Sequence, residues 1–158
     1  MEQKNARIPL NARNYWDTKK IQKKKSRPLK IGVMNNFKFG TSSNRVLRTV
    51  EEPLQRVVRV ALSLTDVDFS VIEGIRDRER QADLVYQGLS WTMDSKHLRG
   101  RAIDLYPWVD GATSHNPEHY KRVAKAMFAA AFQVNVPIEW GGFWRASNQD
   151  MPHWEMPD

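Results

Sequence analysis

Charge and apolar residues are distributed so unevenly along this chain that only its last three quarters can fold around a core. Residues 1–36 hold ten of the 25 Lys and Arg but two of the 18 Asp and Glu, a local charge of +8. The remaining fifteen basic and sixteen acidic residues give −1, so the overall +7 belongs to the first segment. Through residues 1–33 the apolar side chains follow neither a helical nor a strand period, and Lys23-Lys24-Lys25 is a charge run. A segment of this kind buries too little apolar surface to offset its ordering entropy. A basic, disordered tail is therefore expected over 1–33 and one folded domain over 34–158. Met34 stands where apolar patterning begins and is a candidate alternative start.

A chain this basic first suggests a nucleic-acid binder, but confinement of the charge to the tail leaves the domain without that electrostatic footprint. No nucleic acid is required by the domain. The tail could instead contact an anionic cell envelope. The chain has no cysteine, which excludes disulfides, thiolate zinc sites and cysteine nucleophiles. Any metal must bind through His, Asp or Glu. No stretch nears the roughly 20 apolar residues of a membrane helix, and Ile8-Pro9-Leu10 is too short for a signal-peptide core. A soluble monomer made in the cytoplasm without a signal peptide is expected.

Within the domain, Val46, Val50, Leu54, Val57, Ala61 and Leu64 have helical spacing, interrupted by Pro53. A short helical turn followed by a fresh helix with Pro53 in its first turn is expected. Phe69-Ser70-Val71-Ile72 reads as a strand. Asp77 is a candidate N-cap for a helix to about Gln87, with Gly88 as its stop. Trp91 to Gly100 is a polar loop, and Arg101 to Tyr106 a strand with Ile103 and Leu105 on one face and Asp104 on the other. Asn116-Pro117 opens a helix that buries Tyr120, Val123, Met127, Phe128 and Ala131 and ends near Asn135. Ile138 to Trp140 and His153 to Met156 are short strands, with a Gly141-Gly142 turn after the first. Helices and strands do not alternate regularly. The fold class is α+β, with a small, mainly antiparallel sheet and packed helices.

Three residues carry the chemistry: His97, Asp104 and His153. Gly100 permits a tight reversal between the first two, and Asp150 stands three residues before the third. Two imidazoles and one carboxylate leave the fourth position of tetrahedral zinc open for water, whose pKa falls towards ~7 when bound. Asp150 is then placed to be the general base. His115 and His119 are a weaker pair, because Pro117 puts His115 ahead of the helix. Of six tryptophans, Trp91 and Trp144 flank these residues and could wall a groove, while Trp140 and Trp154 read as buried aromatics.

The stretch Ser95-Lys96-His97-Leu98-Arg99-Gly100-Arg101-Ala102-Ile103-Asp104 resembles the Ser-x-His-(six residues)-Asp motif of the D-Ala-D-Ala carboxypeptidase family of zinc peptidases. Trp140-Gly141-Gly142-Phe143-Trp144, then Asp150-Met151-Pro152-His153, resembles that family's closing elements. Phe37-Lys38-Phe39-Gly40 with the Pro53 helix resembles the phage endolysin branch of L-alanyl-D-glutamate endopeptidases. The resemblance covers about residues 35–157. It implies the hedgehog/D,D-peptidase fold with one catalytic Zn2+ on the sheet, held by His97, Asp104 and His153. It further implies that Arg76 stabilises the oxyanion and that Gln81 on the following helix braces the site or meets substrate. Ser95 is expected to support the site or contact substrate. Phe143 replaces an acidic residue common in relatives, which bears on the shape and polarity of the groove.

The implied function is hydrolysis of peptidoglycan stem peptides by a phage-type L-alanyl-D-glutamate endopeptidase, acting on the cell wall after release from the host cytoplasm. Two alternatives are a D-Ala-D-Ala carboxypeptidase and a zinc-containing module that binds cell wall without cutting it.

Overall fold

A computed structural model describes residues 35–158 of the chain. The tail expected over 1–33 lies outside the described residues. Helix α1 (Thr41–Leu47) is short, and α2 (Glu52–Leu64) starts afresh with a proline in its first turn. Proline fits there because its missing N–H is one of the donors a helix start leaves unpaired. Strand β1 (Asp68–Glu73) follows, then α3 (Arg78–Tyr86). The Asp77 side chain accepts the Arg80 N–H and caps α3, as expected. Helix α4 (Pro117–Val134) is capped by Asn116 and ends at Asn135, which takes the left-handed conformation with φ 54°.

Strand β2 (Ala102–Val109) runs three residues beyond the expected stop at Tyr106 and passes through Pro107. Proline removes a ladder donor, but the loss is harmless here. The Leu105 N–H is the last on β2 to reach the β5 (His153–Glu155) side, bonding the Pro152 carbonyl at 3.0 Å, and the Pro107 carbonyl still accepts the Ser114 N–H at 2.8 Å. Beyond β2, Asp110 and Gly111 both have positive φ and turn the chain into the two-residue β3 (Ala112–Thr113). An Asp-Gly pair favours this reversal because both positions need left-handed backbone. Strand β4 (Glu139–Trp140) completes an antiparallel sheet in the order β1-β2-β5-β4, with β3 paired to β2.

One core holds these elements together. Leu54, Val57, Val58 and Ala61 of α2 and Val123, Met127 and Ala130 of α4 join Phe69, Val71, Ile103, Leu105 and Trp154 of the sheet. Trp140 and Trp154 stack across the β4–β5 pair with centroids 5.6 Å apart, buried as expected. Because side chains alternate across a strand, burying Ile103 and Leu105 turns Asp104 to the other face. Register then decides its neighbours: Asp104 is opposite Glu73 on β1 and opposite His153 on β5.

The polar loop before β2 is more ordered than its composition suggests. It contains a 3-10 turn, Lys96–Arg99, capped by Ser95 and closed by Gly100 at φ 66°. The Gly100 carbonyl accepts the Glu51 N–H at 2.8 Å, and a Cβ on Gly100 would lie 3.1 Å from the Thr49 carbonyl oxygen. Replacing Gly100 with Ala should therefore cost about 1–2 kcal/mol through left-handed strain and crowding. Urea denaturation checks this, with a lower midpoint and an unchanged slope as the expected result.

Candidate metal centre and cleft

Each ligand candidate is fixed by the element that carries it. Asp104 and His153 are cross-strand neighbours on β2 and β5. His97 comes from the 3-10 turn, which is tied both to the segment between α1 and α2 and to the segment after β1. Gly100 bonds Glu51, and the Arg76 N–H donates to the His97 carbonyl at 3.0 Å. Gly74 in turn packs so closely on α1 that a Cβ would lie 3.0 Å from the Val46 carbonyl oxygen and collide with Thr49. That contact places the Gly74 carbonyl 2.7 Å from His97 Nδ1.

The outward bonds of the two imidazoles set the chemistry at the centre. His97 Nδ1 donates to Gly74 and His153 Nε2 donates to the Glu155 carboxylate, 2.8 Å away. His97 Nε2 and His153 Nδ1 are then left facing inwards as lone pairs, 3.2 Å apart. Each is 3.4 Å from Asp104 Oδ1, which is buried and has no hydrogen-bond partner. Three acceptors thus converge without a donor among them, an arrangement that a cation or a proton relieves. Ligand atoms of His97, Asp104 and His153 all lie within 4.8 Å of one another, as a metal site requires. The donor set of two nitrogens and one oxygen, with a carbonyl and a carboxylate orienting the imidazoles, fits such an ion.

The pKa shifts follow from the same crowding. Burial works against the charged form of Asp104, but the imidazoles of His153 and His97 beside it hold its carboxyl well below the usual range. Burial also opposes a charged His153, yet Asp104 and Glu155 outweigh it and push the imidazole up to about 9. Without a metal, a proton on His153 is therefore what relieves the repulsion.

The centre lies at the wall of a cleft of about 590 Å3, lined also by Arg76, Trp91, Ser95, Lys96, Trp144 and Asp150. Burial first, and the charge of Asp104 second, raise the Asp150 carboxyl above its ordinary value, while His153, His97 and Arg76 pull it down. Gly141 makes room for this carboxylate's backbone. A Cβ there would strike the Asp150 carbonyl and come within 3.2 Å of the Asp150 and His153 Cβ atoms. The Trp91 and Trp144 rings meet edge to face at 5.3 Å, and Trp144 tilts over His153 at 5.0 Å.

Arg76 points at the centre, with its guanidinium 3.8 Å from Asp104 Oδ2. It is gripped by Glu73 through two bonds of 3.1 and 2.5 Å and by Gln81 Oε1 at 2.7 Å. Gln81 is fully buried and donates onward to Ser90 and the Thr92 carbonyl. The structure thus makes Gln81 a brace for Arg76, and the expected alternative of direct substrate contact does not fit its burial. Ser95 Oγ accepts the His97 N–H at 3.3 Å while lining the cleft. Phe143 stacks on Phe128, 5.7 Å away and outside the cleft wall, so the departure at this position does not shape the groove. Among the described residues, His115 and His119 join no group of three or more ligating side chains; His119 bonds Ser114 and His115 lies against Tyr106.

Sequence reasoning missed Glu73 and Glu155. Their roles depend on register, since Glu73 is opposite Asp104, and Glu155 follows His153 by two along one face of β5. The period-two spacing of His153 and Glu155 was the available signal.

Among the described residues, fold and site together place one cluster able to hold a metal ion in a cleft beside a small antiparallel sheet. Residues 34–155 match the phage L-alanyl-D-glutamate peptidase family, and the chain belongs to that family. The L-alanyl-D-glutamate peptidase of Escherichia phage T5 is 37% identical over 116 residues, covering 71% of this chain and 85% of that protein. That of Listeria phage A118 is 35% identical over 91 residues, 55% of this chain and 30% of the longer relative. The crystal structure of Serratia marcescens L-Ala D-Glu endopeptidase ChiX superposes with a TM-score of 0.73 at 36% identity, over 80% of this chain and 94% of that one.

Loss of a carboxylate that orients a ligand imidazole typically lowers metal affinity 10–100-fold. With Zn2+ as the probe ion, Glu155→Gln should weaken metal binding by that factor while leaving the circular dichroism spectrum unchanged. A competition titration against a zinc chelator measures it.

Proposed function

We propose that this protein is a zinc-dependent peptidoglycan peptidase that hydrolyses the L-Ala–D-Glu bond of the stem peptide. The observation that carries this reading is the buried, partnerless Asp104 Oδ1 facing two inward imidazole lone pairs at the cleft wall, in a chain of the L-alanyl-D-glutamate peptidase family. His97, Asp104 and His153 would hold the ion. When bound, zinc supplies Lewis acidity and lowers the pKa of a coordinated water.

The chain's own residues do the rest. Asp150, made more basic by burial, takes the proton of the attacking water and delivers it to the leaving amine nitrogen. Arg76 donates N–H groups to the oxygen of the scissile carbonyl as negative charge develops there. Its grip by Glu73 and Gln81 means that it needs little reorganisation at that moment. The edge-to-face pair of Trp91 and Trp144 forms an apolar wall for the peptide, and Ser95 holds the His97 turn in place. In this reading the enzyme acts on the bacterial cell wall. Among the described residues no helix is long and apolar enough to cross a membrane.

Mass spectrometry of purified muropeptides tests the reading. Cleavage should fall between L-Ala and D-Glu and stop on chelation. Release of terminal D-Ala alone would instead identify a carboxypeptidase. Asp150→Asn should lower kcat about 10²–10⁴-fold, the usual contribution of general acid–base catalysis, with zinc content still near one per chain. Unchanged activity in this variant would remove Asp150 from the base role.

A further inference from the structure

The cleft wall holds four acids, Glu73, Asp94, Asp150 and Glu155, and two permanent cations, Arg76 and Lys96. Glutamate joined through its nitrogen to alanine carries two carboxyl groups. Onward linkage of the peptide consumes at most one, so a free carboxylate sits within a few bonds of the scissile amide. Without a cation to meet it, that carboxylate would enter a wall whose acids outnumber its cations.

Arg76 is committed elsewhere. Glu73 and Gln81 grip it beside Asp104, and in the reading above its remaining N–H groups serve the scissile carbonyl. Lys96 is differently placed. It opens the 3-10 turn one residue before His97, and its side chain is 13% exposed at the cleft. Its acidic partner is Asp158, whose side chain is 85% exposed. The Asp158 end of this pair lies in solvent, where a carboxylate is held only weakly, so a substrate carboxylate can exchange for it at small cost. Two other wall acids are already engaged: Asp94 with Arg99 at 2.5 Å and Glu155 with His153 at 2.8 Å. Neither competes for Lys96.

We infer that Lys96 is a specificity-determining residue that receives the free carboxylate of the substrate's glutamate, and that Asp158 occupies this place when substrate is absent. The inference rests on the L-Ala–D-Glu reading above and names how the same cleft selects its substrate.

The test compares two stem-peptide fragments of equal length, one with the unlinked glutamate carboxyl free and one with it converted to the carboxamide. The wild-type enzyme should cut the carboxylate form at least tenfold more efficiently by kcat/KM. Lys96→Met should remove most of that preference, chiefly through KM, and Lys96→Arg should restore much of it. Asp158→Asn should shift KM the opposite way, lowering it for the carboxylate form. A purely structural Lys96–Asp158 tether instead predicts that both variants lose thermal stability and change both substrates alike. That result, or an equal preference in wild type and Lys96→Met, overturns the inference. Failure of the wild type to cut either fragment overturns the L-Ala–D-Glu reading itself, so the two failures are separate.

Discussion

The site depends on the register that places β2 between β1 and β5. Asp104 is opposite Glu73 on one side and His153 on the other, so one row across the sheet holds a ligand pair and the residue that grips Arg76. A slip of one residue would send Asp104 into the core and Ile103 to the cleft. Burial of Phe69, Val71, Ile103, Leu105 and Trp154 against α2 and α4 forbids that slip. The hydrophobic core therefore aims the polar row.

The remaining ligand arrives by a different route. His97 sits on a turn whose geometry comes from contacts with the stretch around α1, through Gly74, Thr49 and the Glu51–Gly100 bond. Three acceptors then meet in a buried space, each with its outward bond already used or with none available. Leaving buried acceptors face to face is costly, and a cation held there would reverse the sign of that cost. Around the centre, glycines at 74, 100 and 141 mark where backbone must come too close for a side chain.

Much of this was legible in the chain. Helix boundaries followed local signals, Pro53 and the Asp77 and Asn116 caps, whose effects extend over one turn. His97, Gly100 and Asp104 could be read together because a short reversal links them. Strand β3 went unread although Asp110-Gly111 announces it, and β2 was expected to stop at Tyr106 although the Pro107 carbonyl keeps a bond to Ser114 beyond it. Glu73 and Gln81 are harder cases. What they do depends on which distant side chain the sheet and α3 bring beside them, and no local pattern encodes the Arg76 grip. The expectation for 1–33 concerns residues outside the described structure.

The account stands on a cation satisfying His97, Asp104 and His153 together. Equilibrium dialysis against Zn2+, followed by elemental analysis, addresses this most directly. The account predicts one zinc per chain for the full-length protein, a raised melting temperature on binding, and loss of both in Asp104→Ala. Zinc absent from the wild-type protein, or bound equally well without Asp104, would contradict it.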